Sequence, residues 1–263
     1  MEKSALTSMI SVLDGKLNNT EAYQFLVAME QKTMFGQENS SDWEGSSFVS
    51  ASGRTFDYMK LSGTMVPRTG SMKPMCGMLP SIAVAQLISQ CTADTLIIHA
   101  DSGGGSVMGT PELASAVAKL VDQGVEVIAY TDTQMASAMY WACSPATIIA
   151  SKSAVIGSIG VYTVLTKNND IEGKCTSSII KAGDKKAYGD PNLPVSEEEI
   201  NSIQSKIDST YQTMCFEISG YRKCSLEDII GTQADYYTAS EAPSFLIDGI
   251  MTLEELLTKA KES

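Results

Sequence analysis

The chain has 263 residues, of which 43% are hydrophobic and 19% charged, a balance that excludes wholesale disorder and permits a full buried core. Lys and Arg total 19 against 31 for Asp and Glu, and the resulting net charge of -12 argues against a surface that binds nucleic acid or anionic lipid. With one histidine and six cysteines that form no C-x-x-C pair, the sequence predicts reduced thiols and neither a metal site nor another cofactor.

The first part of the chain differs in character from the rest. A helical pattern over Glu21–Phe35 precedes a polar stretch, Gly36–Ser52, that is rich in Ser, Gly, Asn and acidic residues. We interpret residues 1–53 as an N-terminal helical arm and linker, and residues 54–263 as one α/β domain. The alternative is that the arm packs on the body of the protein.

From Thr55 onward, segments typical of strands alternate with segments typical of helices. Strands are predicted at Thr55–Val66, Thr95–Ala100, Val125–Tyr130, Thr147–Ala150 and Ser177–Lys181. Helices are predicted at Ser81–Gln90, Pro111–Asp122, Ala136–Cys143, from Ser196 onward, and at Thr252–Ser263. Strands that are separated by helices of about ten residues pair in parallel, so the expected fold is α/β.

The helix that begins at Ser196 is the longest predicted element. Ser196 and Glu199 fit a capping box at its start. Apolar residues recur at spacings of three and four along one face: Ile200, Ile203, Ile207, Tyr211, Met214 and Ile218. This face is predicted to be buried, either in the core or in a contact between subunits.

No segment has the character of a membrane span or of an export signal. The most apolar stretch, Thr147–Thr166, contains Lys152 and falls short of the roughly 20 apolar residues that a spanning helix needs. The start of the chain lacks the apolar segment of a signal peptide. We therefore expect a soluble protein that is not exported.

The first candidate for chemistry is the turn Asp101–Ser106, which holds three consecutive glycines between a strand and a helix. Glycines let the backbone approach a ligand closely, and a helix N-terminus adds positive potential. Such a turn could hold a phosphate or a developing oxyanion, or could be a plain turn. It lacks the G-x-G-x-x-G pattern and the G-K-[ST] pattern, so nucleotide binding is disfavoured.

The second candidate is Ser137, which lies where the loop after the Val125–Tyr130 strand becomes a helix. Its small neighbours leave its hydroxyl accessible. The hydroxyl could cap the helix. It could instead be a nucleophile, with the Ala138 amide directed at the oxyanion.

The third candidate is the lysine pair in Lys181–Ala187. In an acidic protein, Lys185 and Lys186 could simply be solvated. A serine nucleophile at neutral pH needs a base, however, and the one histidine, His99, lies inside a predicted strand. A lysine therefore remains as an available base, and a Ser–Lys dyad is a known variant of the catalytic triad.

These segments occur together in an order that resembles the signal peptide peptidase A family of serine proteases, which have the ClpP/crotonase fold. The resemblance spans roughly residues 57–252, and its motifs are Ser102–Gly105, Ala136–Tyr140, Gly157–Val161 and Gly183–Lys186. Within that family the chain looks most like bacteriophage head-maturation proteases. Features of these proteases match Leu61–Val66, Gly77–Met78, Gly183–Pro191 and Gln204–Lys206.

The resemblance implies a role for each matching residue. Ser137 would be the nucleophile and Lys186 the general base, and the oxyanion hole would comprise Gly104, Gly105 and Ala138. The choice of Lys186 over Lys185 rests on motif spacing alone. Gly103 replaces the proline of the family pattern, and Asp101 places a carboxylate beside the proposed oxyanion hole.

The resemblance also implies the setting of the reaction. Substrates would be scaffold and capsid proteins, cut by a homo-oligomeric ring inside the prohead in the host cytoplasm, without nucleic acid or membrane. A lysine with the usual pKa of about 10.4 is protonated at neutral pH, so we expect substrate binding or assembly to bury Lys186. The alternatives are a cellular peptidase that degrades signal peptides and a non-catalytic capsid protein on the same fold.

Overall fold

The computed structural model describes residues 46–68, 77–166 and 179–263. Its strands are β1 Ser46–Val49, β2 Thr55–Ser62, β3 Thr64–Val66, β4 Met78–Pro80, β5 Thr95–Asp101, β6 Glu126–Thr131, β7 Gln134–Ala136, β8 Thr147–Ala150, β9 Val155–Gly157, β10 Tyr236–Thr238 and β11 Gly249–Ile250. Its α-helices are α1 Ser81–Ile88, α2 Thr110–Asp122, α3 Ala138–Cys143, α4 Glu197–Arg222, α5 Leu226–Gly231 and α6 Leu253–Glu262. The fold is mixed α/β, as the alternation of segments predicted.

A six-stranded sheet in the order β1-β2-β5-β6-β8-β11 forms the centre of the structure. Every neighbouring pair in it is parallel except β1 and β2. The central strand β5 is buried along almost its whole length, because helices cover one face of the sheet and α6 covers the other. The predicted parallel pairing is therefore confirmed.

Each face of this sheet has its own apolar cluster. The larger cluster packs Met59, Leu96 and Ile98 of the sheet against helices α1, α2 and α3 and part of α4. The smaller cluster packs Phe56, Ile97 and Tyr130 against α6. Alternate residues of β5 thus enter opposite clusters, as the two-residue period of a strand requires.

A second, three-stranded sheet in the order β10-β9-β7 lies beside the first. In it β7 and β9 are parallel, with Ala136 opposite Gly157. This pairing places the Gly157–Val161 segment directly beside Ser137.

The polar stretch Gly36–Ser52 was expected to be a linker throughout, but its end, Ser46–Val49, is a strand of the main sheet. Strand β1 pairs antiparallel with β2, and the rings of Phe48 and Phe56 stack with centroids 4.8 Å apart. These contacts hold a segment whose composition alone indicates a loop. The predicted helix at Glu21–Phe35 lies outside the described residues.

Two predicted strands also differ from the structure. The chain bends at Gly63, which divides Thr55–Val66 into β2 and β3. Ile179–Lys181, the described part of the predicted strand Ser177–Lys181, is not in a strand. The strand that completes the sheet next to β8 is instead the two-residue β11.

Helix α4 begins where the sequence predicts, with the Ser196 hydroxyl accepting from the Glu199 amide at 3.1 Å. Its apolar face is buried only in part by the described residues. Met214 and Ile218 are buried, whereas Ile200 is 49% exposed. In the part of the chain that is described, no helix is both long and apolar enough to cross a bilayer.

Candidate active site

Ser137 lies between β7 and α3 in a strained backbone conformation, with φ of 53° and ψ of -122°. A non-glycine residue at such angles costs on the order of 1–3 kcal/mol, which the surrounding structure must offset. The Ser137 amide donates to the Gly157 carbonyl at 2.8 Å, and its carbonyl accepts from the Trp141 amide at 3.0 Å. These two bonds hold the backbone, and the side chain remains partly exposed.

The Ser137 hydroxyl does not cap the helix that follows it. Ser137 occupies the N-cap position of α3, but its side chain makes no capping hydrogen bond. The capping role that the sequence left open is therefore wrong. An accessible hydroxyl at a strained junction, with no structural bond to the helix, is free to act on a substrate.

Helix α3 is a rigid support for Ser137 because all six of its residues are buried. The Tyr140 hydroxyl donates to the Leu246 carbonyl at 3.0 Å, and the Trp141 indole donates to Glu217 Oε2 at 2.9 Å. Burial raises the pKa of Tyr140 and raises the pKa of Cys143 to about 12, so both side chains stay neutral. The helix thus adds no charge behind Ser137.

The glycine turn packs directly against Ser137. Gly104 has φ of +98°, and a Cβ on it would lie 2.8 Å from Ser137 Cβ and 2.9 Å from the Ala138 nitrogen. Gly105 has φ of +150°, and a Cβ there would lie 2.3 Å from the Met65 carbonyl oxygen. Real Cβ atoms do not approach so closely, so both positions require glycine.

The three amides expected in an oxyanion hole differ in their bonding. The Gly104 amide donates to Ser102 Oγ at 3.1 Å and is therefore already engaged, although the resemblance implied that Gly104 would form part of the oxyanion hole. Within the described ranges, no hydrogen bond occupies the amides of Gly105 and Ala138. These two amides remain available to an oxygen beside Ser137.

A small cavity of about 70 Å³ opens beside Ser137. Its wall is mostly apolar and comes from the glycine turn, α3, the segment after β9 and α4: Gly105, Val107, Ala138, Trp141, Gly160, Val161, Tyr162 and Met214. The segment Gly157–Val161, which the sequence marked as a close backbone contact, thus forms one side of the cavity.

Lys185 and Lys186 lie in a 3-10 turn, Asp184–Ala187, and both are exposed. Neither belongs to the wall of the cavity that contains Ser137. The Gly189 amide, just after this turn, donates to the buried carboxylate of Glu199 at the start of α4. The lysine turn is therefore anchored on α4, and the described residues do not place Lys186 beside Ser137.

The Asp101 carboxylate is engaged by two hydroxyl groups. Its Oδ1 accepts from the Thr133 hydroxyl at 2.6 Å, and its Oδ2 accepts from the Ser62 hydroxyl at 3.1 Å. Both carboxylate oxygens are thus hydrogen-bonded, one to β2 and the other to the turn between β6 and β7.

His99 is buried in a hydrogen-bonded chain that the sequence did not reveal. Its Nδ1 lies 2.5 Å from the Tyr58 hydroxyl, and its Nε2 lies 2.9 Å from Asp132 Oδ1. Both ring nitrogens are therefore occupied, which agrees with setting His99 aside as a base for Ser137. Among the described residues, no group of three His, Cys, Asp or Glu side chains is arranged to hold a metal ion.

Several known proteins are similar to the chain, among them proteins of two phages and of one cellular organism. The chain is 23% identical over 216 residues to the capsid assembly protease C of Escherichia phage lambda. The aligned region covers 78% of this chain and 48% of that protein. It is 28% identical over 172 residues to a putative protease of Methanocaldococcus jannaschii, covering 64% of this chain and 55% of that protein. It is 25% identical over 182 residues to the head-tail preconnector protein GP5 of Enterobacteria phage P21, covering 67% of this chain and 36% of that protein.

The chain thus spans about half the length, or less, of these curated relatives. The relative from phage lambda confirms the resemblance to phage head-maturation proteases. The model of peptidase family S49 matches residues 119–263, which is more than half of the chain and includes Ser137 and both candidate lysines. The chain therefore belongs to peptidase family S49.

Proposed function

We propose that the chain is a serine endopeptidase in which Ser137 is the nucleophile. The observation that carries this proposal is the surroundings of Ser137, a strained and uncapped serine beside two unoccupied amides. Strain at a single residue and unoccupied amides on residues that line one cavity are features of sites that stabilise a transition state. We further propose that the protease domain has a ClpP/crotonase-like fold and includes strand β1 in addition to residues 54–263, so that the appended arm is shorter than residues 1–53.

The proposed reaction is acyl transfer to Ser137 followed by hydrolysis. Ser137 Oγ attacks the peptide carbonyl carbon while its proton passes to Lys186. The carbonyl oxygen becomes an oxyanion that accepts hydrogen bonds from the Gly105 and Ala138 amides, and Gly104 gives it room to approach. Lys186 returns the proton to the leaving amine, then deprotonates the water that hydrolyses the acyl-enzyme.

This mechanism requires the lysine turn to move or to be covered. An exposed lysine is protonated at neutral pH and is not a base, so Lys186 must become buried against Ser137. We propose that substrate binding or assembly into a homo-oligomeric ring achieves this.

The proposed substrates are scaffold and capsid proteins during prohead maturation, in the host cytoplasm. The names of the relatives from phages lambda and P21 support this assignment, since they denote capsid assembly and a head-tail preconnector. A cellular peptidase is the second candidate, because the relative from Methanocaldococcus jannaschii, a cellular organism, is named a putative protease. Incubation with the scaffold protein of the phage separates the two: site-specific cuts favour the first, and cleavage of signal peptides alone favours the second.

The catalytic proposal is tested with a fluorophosphonate probe, which phosphonylates activated serines. We expect the wild type to be labelled on the peptide that contains Ser137 and the Ser137→Ala variant not to be labelled. Ser153→Ala, which removes an exposed serine elsewhere, is the matched control and should be labelled like wild type. Labelling that persists in Ser137→Ala would contradict the assignment of the nucleophile.

A further inference from the structure

Ser102 follows β5 and is almost completely buried, with 1% of its surface exposed. Its hydroxyl donates to the Gly63 carbonyl at 2.6 Å and accepts from the Gly104 amide at 3.1 Å. A serine hydroxyl can donate once and accept twice, so one side chain satisfies both backbone groups. The side chain of Ser102 thus ties the bend between β2 and β3 to the glycine turn.

The backbone of Ser102 holds the segment that leads to the nucleophile. Its amide donates to the Gln134 carbonyl at 2.9 Å, and its carbonyl accepts from the Ala136 amide at 3.1 Å. Ala136 directly precedes Ser137. One residue therefore fixes the glycine turn through its side chain and the approach to Ser137 through its main chain.

Two hydrogen bonds set the orientation of the Gly104–Gly105 peptide. The Gly104 carbonyl accepts from the Met65 amide at 2.9 Å. The N–H of a trans peptide points opposite to its C=O, so the Gly105 amide is directed away from Met65. The bond from the Gly104 amide to Ser102 fixes the preceding peptide and leaves the turn a single conformation.

We infer that Ser102 is a positioning residue that holds the glycine turn so that the Gly105 amide faces the substrate oxygen, an inference that rests on the proposed function. Three consecutive glycines have wide conformational freedom, and here Gly103 stands where a proline would restrict the chain. Without the Ser102 hydroxyl, the turn would sample peptide orientations in which the Gly105 amide points elsewhere.

The test compares the rate constant for phosphonylation of Ser137 by a fluorophosphonate in wild type, Ser102→Ala and Ser102→Cys. Removing an oxyanion donor outright costs about 10²–10³ in rate, so a donor that is misdirected part of the time should cost about 10- to 100-fold in Ser102→Ala. The cysteine fills the same space with a much weaker donor and acceptor, so its rate should fall between the other two. With a peptide substrate, kcat should fall while KM changes little, because the oxyanion forms only in the transition state.

Ser81→Ala is the matched control. Ser81 is fully buried, and its hydroxyl also donates to a backbone carbonyl, that of Val66 at 3.2 Å, but it does not touch the glycine turn. We expect its rate constant to stay close to that of wild type.

The outcomes separate a positioning role of the Ser102 hydroxyl from mere space filling and from general loosening of the structure. If Ser102→Cys reacts as fast as wild type, the side chain only fills space and the inference is overturned, and this variant decides the matter if Ser102→Ala does not fold. An equal loss in Ser81→Ala would mean general loosening and would also overturn it. A wild type that fails to react even when it is assembled, the state in which Lys186 is proposed to reach Ser137, would overturn the proposed function itself, which a change confined to Ser102 would not.

Discussion

Replacing Gly104 with alanine tests whether the glycine turn must lie as close to Ser137 as the structure places it. The new Cβ would lie 2.8 Å from Ser137 Cβ and 2.9 Å from the Ala138 nitrogen, so the turn and the nucleophile must separate. Because contact between carbon atoms is most favourable at about 3.5–4.0 Å, the separation needed is about 1 Å. A misplacement of that size costs about 10²-fold in catalysis.

The substitution should leave the protein folded. A non-glycine residue at φ of +98° costs about 1–3 kcal/mol, and the overpacking costs about 1–3 kcal/mol more. The sum of about 2–6 kcal/mol lies at or below the usual stability of a domain, about 5–15 kcal/mol. Urea denaturation measures this loss, and turnover of a peptide substrate, corrected for the folded fraction, measures the catalytic effect.

Gly103→Ala is the matched control within the same turn. Its Cβ would meet only the end of the Gln134 side chain, at 3.3 Å, and that exposed side chain can move aside. We expect Gly103→Ala to retain most of the activity. If Gly104→Ala retained as much activity as Gly103→Ala, the close approach of the turn to Ser137 would have no catalytic meaning, and the argument for the oxyanion hole would fail.

Three further predictions follow from the same site. Lys186→Ala should reduce peptide turnover by about 10²–10⁴-fold, and Lys185→Ala should have a mild effect; the reverse result in the same assay would transfer the role of base to Lys185. Met214→Ala should enlarge the cavity and raise the cleavage of peptides with a large apolar residue before the cut, relative to those with alanine, by about tenfold or more; an unchanged ratio would show that this cavity does not select that residue. Because burial raises the pKa of Cys143 to about 12, that thiol stays protonated at pH 8, so mass spectrometry should find it alkylated by iodoacetamide only after unfolding.

The elements that the sequence predicted correctly are those whose pattern is local. Strand β5 is a continuous apolar run, and the start of α4 is marked by the Ser196 cap, so both follow from a few neighbouring residues. Strand β1 could not be predicted in this way because its support is distant. Its Ser47 hydroxyl donates to Asp57 at 2.5 Å, and its Phe48 ring stacks on Phe56, and no property of the segment itself signals either contact.

In the candidate site, too, the features that the sequence predicts are local, and those that it does not predict depend on contacts between distant residues. The position of Ser137 at the start of a helix and the glycine turn between a strand and a helix follow from local composition, whereas the strain at Ser137 is seen only in the structure. The commitment of the Gly104 amide to Ser102 depends on which backbone groups the fold brings within reach, and the sequence does not contain that information. The exposure of Lys186 has the same origin, because its turn is anchored by Glu199, a residue on another element.

The strain at Ser137 explains why distant segments converge on it. A residue at φ of 53° relaxes unless its neighbours hold it, and here β9 holds its amide while Ser102 holds the residue before it. The glycine turn is held in turn by Met65 and Ser102, so the two unoccupied amides lie on segments that are fixed independently of any substrate. Preorganised donors stabilise an oxyanion without reorganising during the reaction, and in the proposed mechanism the three joined segments would provide this property. The lysine turn is the exception, because it shares none of these supports, and in the proposed mechanism its approach to Ser137 is the step that substrate or assembly would supply.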